Sequence, residues 1–287
     1  AFRAYGPALQ ETGERAFGYD IWTKYNTTEP VVEARYEGEL NPDMKAKIAE
    51  LGKTDPKAAQ ELYRSVSYHV DHGNGLDCYK VGPTLGGGTT ALMAGDTIIY
   101  PYCYATQEIL DNGPLRFTVK LVYNPLVVKG DSTIIETRII TLDAGSYCNK
   151  TVVSYTNLKE TMPLAVGIVL HEPDGAIVAD AANGYMTYVD PTDNAGGDNG
   201  KIFVGAAFPT LVKEAKAVLF PEKEKKELRG GADGHVLAIS EYEPGADFTY
   251  YWGGAWSKAD IKDSAAWNAY MADFAQKVRN PLTVTVK

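Results

Sequence analysis

Through most of its length this chain alternates apolar and polar positions with period two, in short runs that read as half-buried strands. The runs at Thr97 to Glu108, Leu115 to Tyr123, Thr133 to Leu142, Lys150 to Thr156 and Leu164 to His171 are rich in Val, Ile, Thr and Tyr. Others follow at Gly184 to Val189, Lys201 to Ala207, Glu214 to Leu219 and His235 to Tyr242, each bounded by Gly, Asn, Asp or Pro. Such even spacing predicts a mainly β protein, a large antiparallel sandwich or barrel. Residues 2 to 36 also read as short strands, with Tyr19 to Tyr25 alternating before Pro30.

The period changes at about 41–65. Asn41-Pro42 opens a helix with a Met44, Ile48, Leu51 stripe and Gly52 at its end, and Thr54-Asp55-Pro56 opens a second that closes near Arg64. A last helix, Ser264 to Arg279, is expected to be capped by Ser264 and to carry Trp267, Tyr270, Met271, Phe274 and Val278 on one side, with a closing strand from Leu282 to Val286. The expectation is one domain, 1–287, with a helical insertion at about 41–65.

Charge and composition narrow the function. The net charge of -9 lacks the phosphate-neutralising excess that nucleic acid or an anionic membrane surface requires. No apolar run reaches the length of a membrane span. The opening Ala1-Phe2-Arg3, without an initiator methionine, fits a processed product and a periplasmic or extracellular setting. Cys78, Cys103 and Cys148 are an odd number with no Cys-x-x-Cys and read as buried small hydrophobes. The 19 tyrosines and four tryptophans suit a cleft for polar ligands with apolar faces, sugars above all.

Two stretches carry candidate chemistry. Ser67 to Gly88 holds His69, Asp71, His72, Asp77, Tyr79 and Lys80 around six glycines, and reads as strand, glycine turn, strand, with His69 and Asp71 on one face and Asp77 and Tyr79 sharing another. Phe248 to Lys258 sets Tyr250, Tyr251, Trp252 and Trp256 about Gly253-Gly254, and some of these rings should face an open groove. His171 ends a strand where irregular chain begins, a common catalytic placement, whereas His235 lies in a loop that reads as exposed. Arg116 and Arg138 are strand-interior cations that face either a cleft or solvent. The acidic loop Asp190 to Gly200 does not match a calcium-binding spacing and reads as a solvated connection. His69, Asp71 and His72 with His171 could hold a divalent metal, though no spacing demands one and no cofactor is expected. The hairpin and the late aromatics are expected to line one hollow.

At Phe2-Arg3-Ala4-Tyr5-Gly6-Pro7-Ala8-Leu9, His72 to Gly82, Asn112 to Arg116, Leu142 to Ser146 and Tyr251 to Ser257 the chain resembles a family catalogued as a domain of unknown function, number 4861, over nearly its whole length. Members look like secreted proteins of bacterial polysaccharide-degrading systems. The resemblance implies a galactose-mutarotase-like supersandwich, and similar proteins suggest oligosaccharide dehydration, loss of water from a terminal uronic acid to leave a 4,5-unsaturated sugar. That elimination needs a base for the C5 proton, a cation for the carboxylate and an acid for the leaving hydroxyl. His72 or His69 is a candidate base and Tyr79 or His171 a candidate acid. Arg116 or Arg138 is a candidate carboxylate ligand, and Asp71 or Asp77 can orient an imidazole. Lys80, Tyr251, Trp252 and Trp256 complete the expected contacts to an oligosaccharide or polysaccharide fragment. Two alternatives stand beside this reading: a glycan-binding protein without catalysis, and a sugar epimerase or mutarotase.

Overall fold

A computed structural model describes residues 1–25, 32–193, 198–283 and 285. The chain enters through β1 (Phe2–Arg3), α1 (Pro7–Thr12) and β2 (Asp20–Lys24), then forms α2 (Val32–Leu40), α3 (Pro42–Thr54) and α4 (Pro56–Val66). The strand series is β3 (Gly75–Asp77), β4 (Gly87–Ala94), β5 (Thr97–Ile99), β6 (Tyr104–Asn112), β7 (Arg116–Tyr123), β8 (Leu126–Val128), β9 (Asp131–Asp143), β10 (Cys148–Thr156) and β11 (Met162–Leu170). It continues through β12 (Ile177–Asp180), β13 (Tyr185–Asp190), β14 (Ile202–Ala207) and β15 (Glu214–Leu219), then α5 (Glu222–Leu228), β16 (Gly234–Tyr242), β17 (Phe248–Trp256) and α6 (Ser264–Arg279).

These strands make two large antiparallel sheets and a small one, the mainly β sandwich the alternation predicts. The larger sheet runs β12-β13-β14-β17-β10-β9-β7-β6, with β8 on β9, and the five-stranded sheet runs β15-β16-β11-β4-β5. β4 packs on β14 and β17, so the sheets lie face to face over one apolar cluster that includes Leu92, Val166, Ile168, Val204 and Trp252. β11 is a continuous apolar run because it is the middle strand of its sheet, buried on all but Pro163. β9 alternates through its central part because its second face is more open.

The third sheet, β1-β2-β3, positions the site. Its register pairs Phe2 with Ile21, Arg3 with Asp20, and Trp22 with Asp77. Partners in an antiparallel ladder share a face, as do residues two apart along a strand. Phe2 and Ile21 therefore turn inward, Phe2 edge-on to Trp252 at 5.4 Å, while Arg3, Asp20, Trp22 and Asp77 share the opposite face.

Several local expectations change. Gly86 to Gly88, at the end of the glycine-rich stretch, lead into the fully buried start of β4. A Cβ on Gly88 would stand 2.7 Å from Trp252 Cβ, and its φ of +120° is open to glycine alone, so this glycine serves close packing. Part of the amino-terminal segment read as strand is helix, α1 and α2. Pro101 falls in a break that divides the run at 97–108 into β5 and β6. The charge run Lys223 to Lys226 lies on the short helix α5. α6 is capped by Asp263, whose carboxylate accepts the Ala266 amide at 2.8 Å, not by Ser264. In the expected closing strand, Leu282 and Thr283 are irregular, and positions 284, 286 and 287 lie outside the described residues. Among the described residues no helix is long and apolar enough to cross a membrane.

Candidate active site

α4 and the chain that follows it build a pocket of about 350 Å³. Asn41 and Asp55 cap α3 and α4 by accepting their first amides, and Gln60, Tyr63 and Arg64 recur on α4 at helical spacing, so one polar stripe faces the pocket. Beyond Ser67 the chain leaves the helix, and residues 67–74 are turns and bends, not the expected strand. They are laced to β3 instead: the Asp77 amide donates to the Tyr68 carbonyl at 2.9 Å, and His69 Nδ1 lies 3.0 Å from the Asp77 carbonyl oxygen. A carbonyl only accepts, so Nδ1 carries the proton and Nε2 keeps its lone pair. Glu39 of α2 accepts the Tyr68 amide at 2.8 Å and fixes the helices to this turn.

Asp77 lines the same pocket. Its carboxylate accepts from Arg3 Nη2 at 2.7 Å. Arg3 also holds Asp20, its Nε donating at 2.9 Å, and the Tyr5 hydroxyl donates to Asp20 at 2.8 Å. Two buried carboxylates thus share one guanidinium. Burial first, and then the charge of Asp20, push the Asp77 carboxyl up to about 7, against the pull of Arg3 and His69. Asp20 Oδ1 has no hydrogen-bond partner. Arg64 stands exposed at the pocket wall and, among the described residues, makes no ion pair. Arg3 and Arg64 were not singled out from sequence. The polar stripe on α4 is the signal that could have found Arg64, whereas Arg3 becomes visible only through the register of β1 on β2.

Of the other candidates, Tyr79 also lines this pocket and the rest scatter. His72 turns Nε2 to the Ser67 carbonyl at 2.9 Å, and Asp71 accepts the Gly73 and Gly75 amides at 2.9 and 3.2 Å, which fixes the turn. The Tyr79 hydroxyl donates to the Gly86 carbonyl at 3.1 Å inside the core, and burial raises it well above its ordinary value. Lys80 is exposed and lines no wall of this pocket. His171 sits just past β11 as expected, its Nδ1 2.7 Å from Asp190 Oδ2, on the far side of Tyr79 with ring centroids 6.4 Å apart. His235 is buried, not exposed: its Nε2 accepts the Leu85 amide at 3.0 Å, and burial, then Arg229 and His171, lower it to about 3.

Neither strand arginine faces this pocket. Arg116 makes an exposed two-pronged pair with Asp143 at 2.6 and 2.9 Å. Arg138 corrects the expectation of a cleft or solvated cation, being buried between the sheets with Glu136 at 2.6 Å, the Tyr123 hydroxyl at 2.9 Å and the Thr90 carbonyl at 3.2 Å. A strand arginine inside a sandwich needs such partners, and Glu136 two residues earlier on the same face supplies the charge. Asp71, His69, His72 and His171 do not gather as metal ligands, and no group of three His, Cys, Asp or Glu does so among the described residues. The three cysteines are free and buried.

Of the late aromatics, Trp252 and Trp256 line a different, larger cleft of about 690 Å³ together with Trp22, Lys24, Tyr25, Tyr147 and Asn149, and Tyr250 is buried in the core. Trp252 is buried, stacked on Tyr19 at 4.1 Å, with its indole N–H donating to Thr151 at 2.8 Å. Trp256 is also nearly buried, its N–H on the Asn199 carbonyl at 2.7 Å and Tyr25 tilted on it at 4.9 Å. Tyr251 points to the other face of β17, against Phe274 of α6 at 5.2 Å. Gly253 lets β17 press on the Tyr147 backbone, so the Gly-Gly pair serves sheet packing. The expected single hollow is therefore two, joined through the small sheet, where Trp22 of the cleft pairs across the ladder with Asp77 of the pocket; Tyr25, just past β2, lies beside Asp71 as well as Trp256.

A curated relative, "Uncharacterized protein P7" of Formosa agariphila, is 23% identical over 295 residues. The match covers 100% of this chain and 65% of the relative, so the chain spans about two thirds of its length. The family described as "Domain of unknown function (DUF4861)" matches residues 1–284, and this chain belongs to it.

Proposed function

We propose that the protein is a carbohydrate-active carbon–oxygen lyase, a dehydratase that eliminates water from the terminal uronic residue of an oligosaccharide. The observation that carries this reading is the sharing of one 350 Å³ pocket by the His69 imidazole and the Asp77 carboxyl, which burial raises to about 7. An imidazole with a free ring nitrogen, beside a carboxyl that burial keeps protonated toward neutral pH, gives the base and the acid an elimination needs. In the proposed step Arg64 takes the uronate carboxylate and opposes the charge that grows on it as the C5 proton leaves. His69 Nε2 accepts that proton, the C5–H electron pair becomes the C4–C5 double bond, and the C4–O bond breaks. Asp77 protonates the departing oxygen, which leaves as water. The proton on His69 and the charge on Asp77 then return to their starting states by exchange with solvent. The aromatic cleft is assigned to further units of the chain, with the partly exposed Tyr25 and Tyr147 rings against sugar C–H faces. A periplasmic or extracellular role in polysaccharide degradation goes with this reading.

The separation of the aromatic cleft from the acid/base pocket favours a second reading, a glycan-binding protein without turnover. Incubation with uronate-terminated oligosaccharides distinguishes them. The dehydratase gives rising ultraviolet absorbance from the conjugated double bond and a product lighter by one water. Binding with neither signal sinks the dehydratase reading. His69→Ala should lower the rate at least about 100-fold, the usual worth of a positioned base, with binding little changed.

A further inference from the structure

A third hollow, of about 570 Å³, shares no lining residue with the two described above. Its walls are Arg15, Phe17, Tyr100, Tyr102 and Arg229, with the exposed Leu228 at its rim. The rings are fixed. Phe17 and Tyr102 stand perpendicular at 5.7 Å, and the Tyr102 hydroxyl donates to the Glu14 carbonyl at 2.6 Å. Arg229 lies over Tyr100 at 4.0 Å and is neutralised by Glu224 at 2.8 Å. Arg15 differs. Its guanidinium lies over Phe17 at 5.2 Å, and among the described residues it makes no hydrogen bond or ion pair. In a chain with 37 acidic and 28 basic residues, a cation left unpaired beside fixed aromatic faces is a place for an anion that also has an apolar face.

We infer that the pocket between Arg15 and Arg229 is a second carbohydrate site, which holds an acidic sugar unit through its carboxylate on Arg15 and its ring on the partly exposed Tyr102, with the buried Phe17 backing both. The inference rests on the proposed function for the ligand class only. Such a site keeps a polymeric substrate on the protein while its end occupies the other pocket, raising the local concentration of ends.

Calorimetric titration of the whole chain at low salt with hexagalacturonate tests it, with the hexamer reduced to neutral galactose units as control. Arg15→Gln should weaken one class of binding about tenfold, the effect of one charge-assisted contact, and Arg15→Lys should restore part of it. The reduced hexamer should lose that class, and His69→Ala should keep it. An isotherm unchanged in both Arg15→Gln and Tyr102→Ala overturns the inference, as does a parent protein that binds no hexagalacturonate. Binding that responds to Arg15 without any new double bond removes the dehydratase reading and leaves this site standing.

Discussion

Burial, and then the charge of Asp20, keep the Asp77 carboxyl protonated to higher pH than an ordinary carboxylate, and its titration is directly measurable. Its folded pKa lies above the ordinary carboxylate value, so the protonated form is the one the fold favours. That contribution is complete below about pH 4 and is lost as the pH rises to about 7. Denaturant titrations should therefore show stability falling over this window in the parent and a flatter profile in Asp77→Asn; parallel profiles would mean that Asp77 ionises normally. His235 works in the opposite sense. Its folded value of about 3 lies below the unfolded value near 6.5, so the neutral ring stabilises the fold above that pH and the contribution is lost as the pH falls toward 3. His235→Gln should be less stable than the parent at pH 7 and show a weaker acid dependence below pH 6. Arg138→Met leaves Glu136 buried without its charge partner and should cost about 3–5 kcal/mol by chemical denaturation, most of it recovered when Glu136 is also replaced by Leu.

Among the elements, β4 and β17 approach closely across the sandwich at Gly88, where an added Cβ would stand 2.7 Å from Trp252 Cβ. Gly88→Ala should destabilise by about 3 kcal/mol, from a forbidden φ and a clash with Trp252, while Gly95→Ala, with φ +60° and nothing within 4 Å, should cost about 1 kcal/mol. Equal losses at the two positions would contradict this account of the close approach. The elements most legible from sequence are those whose burial pattern is local. β9 alternates because one face is buried, α3 and α4 begin at Asn41-Pro42 and Asp55-Pro56 because those side chains cap them, and α6 declares itself by its apolar stripe. The start of β4 was illegible because its glycines, which normally break regular structure, are here required by close neighbours remote in sequence, Ile21 at Gly87 and Trp252 at Gly88. α2 was missed because no buried residue marks its face.

At the scale of the molecule, the residue types of the site were legible but their grouping was not. His69 and Asp77 stand out in the sequence as titratable groups among glycines, yet Arg3 reaches Asp77 from the first strand and Arg64 reaches the pocket from a helix. Strand register decides the first, and the packing of α4 beside β3 decides the second. Arg138 and Trp252 were drawn toward the ligand for the reason that large polar-tipped side chains suit sugars, and the same tips are instead satisfied inside the sandwich, by Glu136 and Tyr123 and by Thr151 respectively. The small sheet is the part that turns two remote stretches into neighbouring hollows, one titratable and one aromatic. The pH dependence of turnover tests that arrangement. Asp77 must be protonated to donate, so the rate on a uronate-terminated oligosaccharide, followed by the absorbance of the new double bond, should fall as the pH rises past about 7. It should be lost in Asp77→Asn and His69→Ala and retained in Tyr79→Phe. Full turnover in both of the first two variants, or its loss in Tyr79→Phe with the fold intact, would contradict the account.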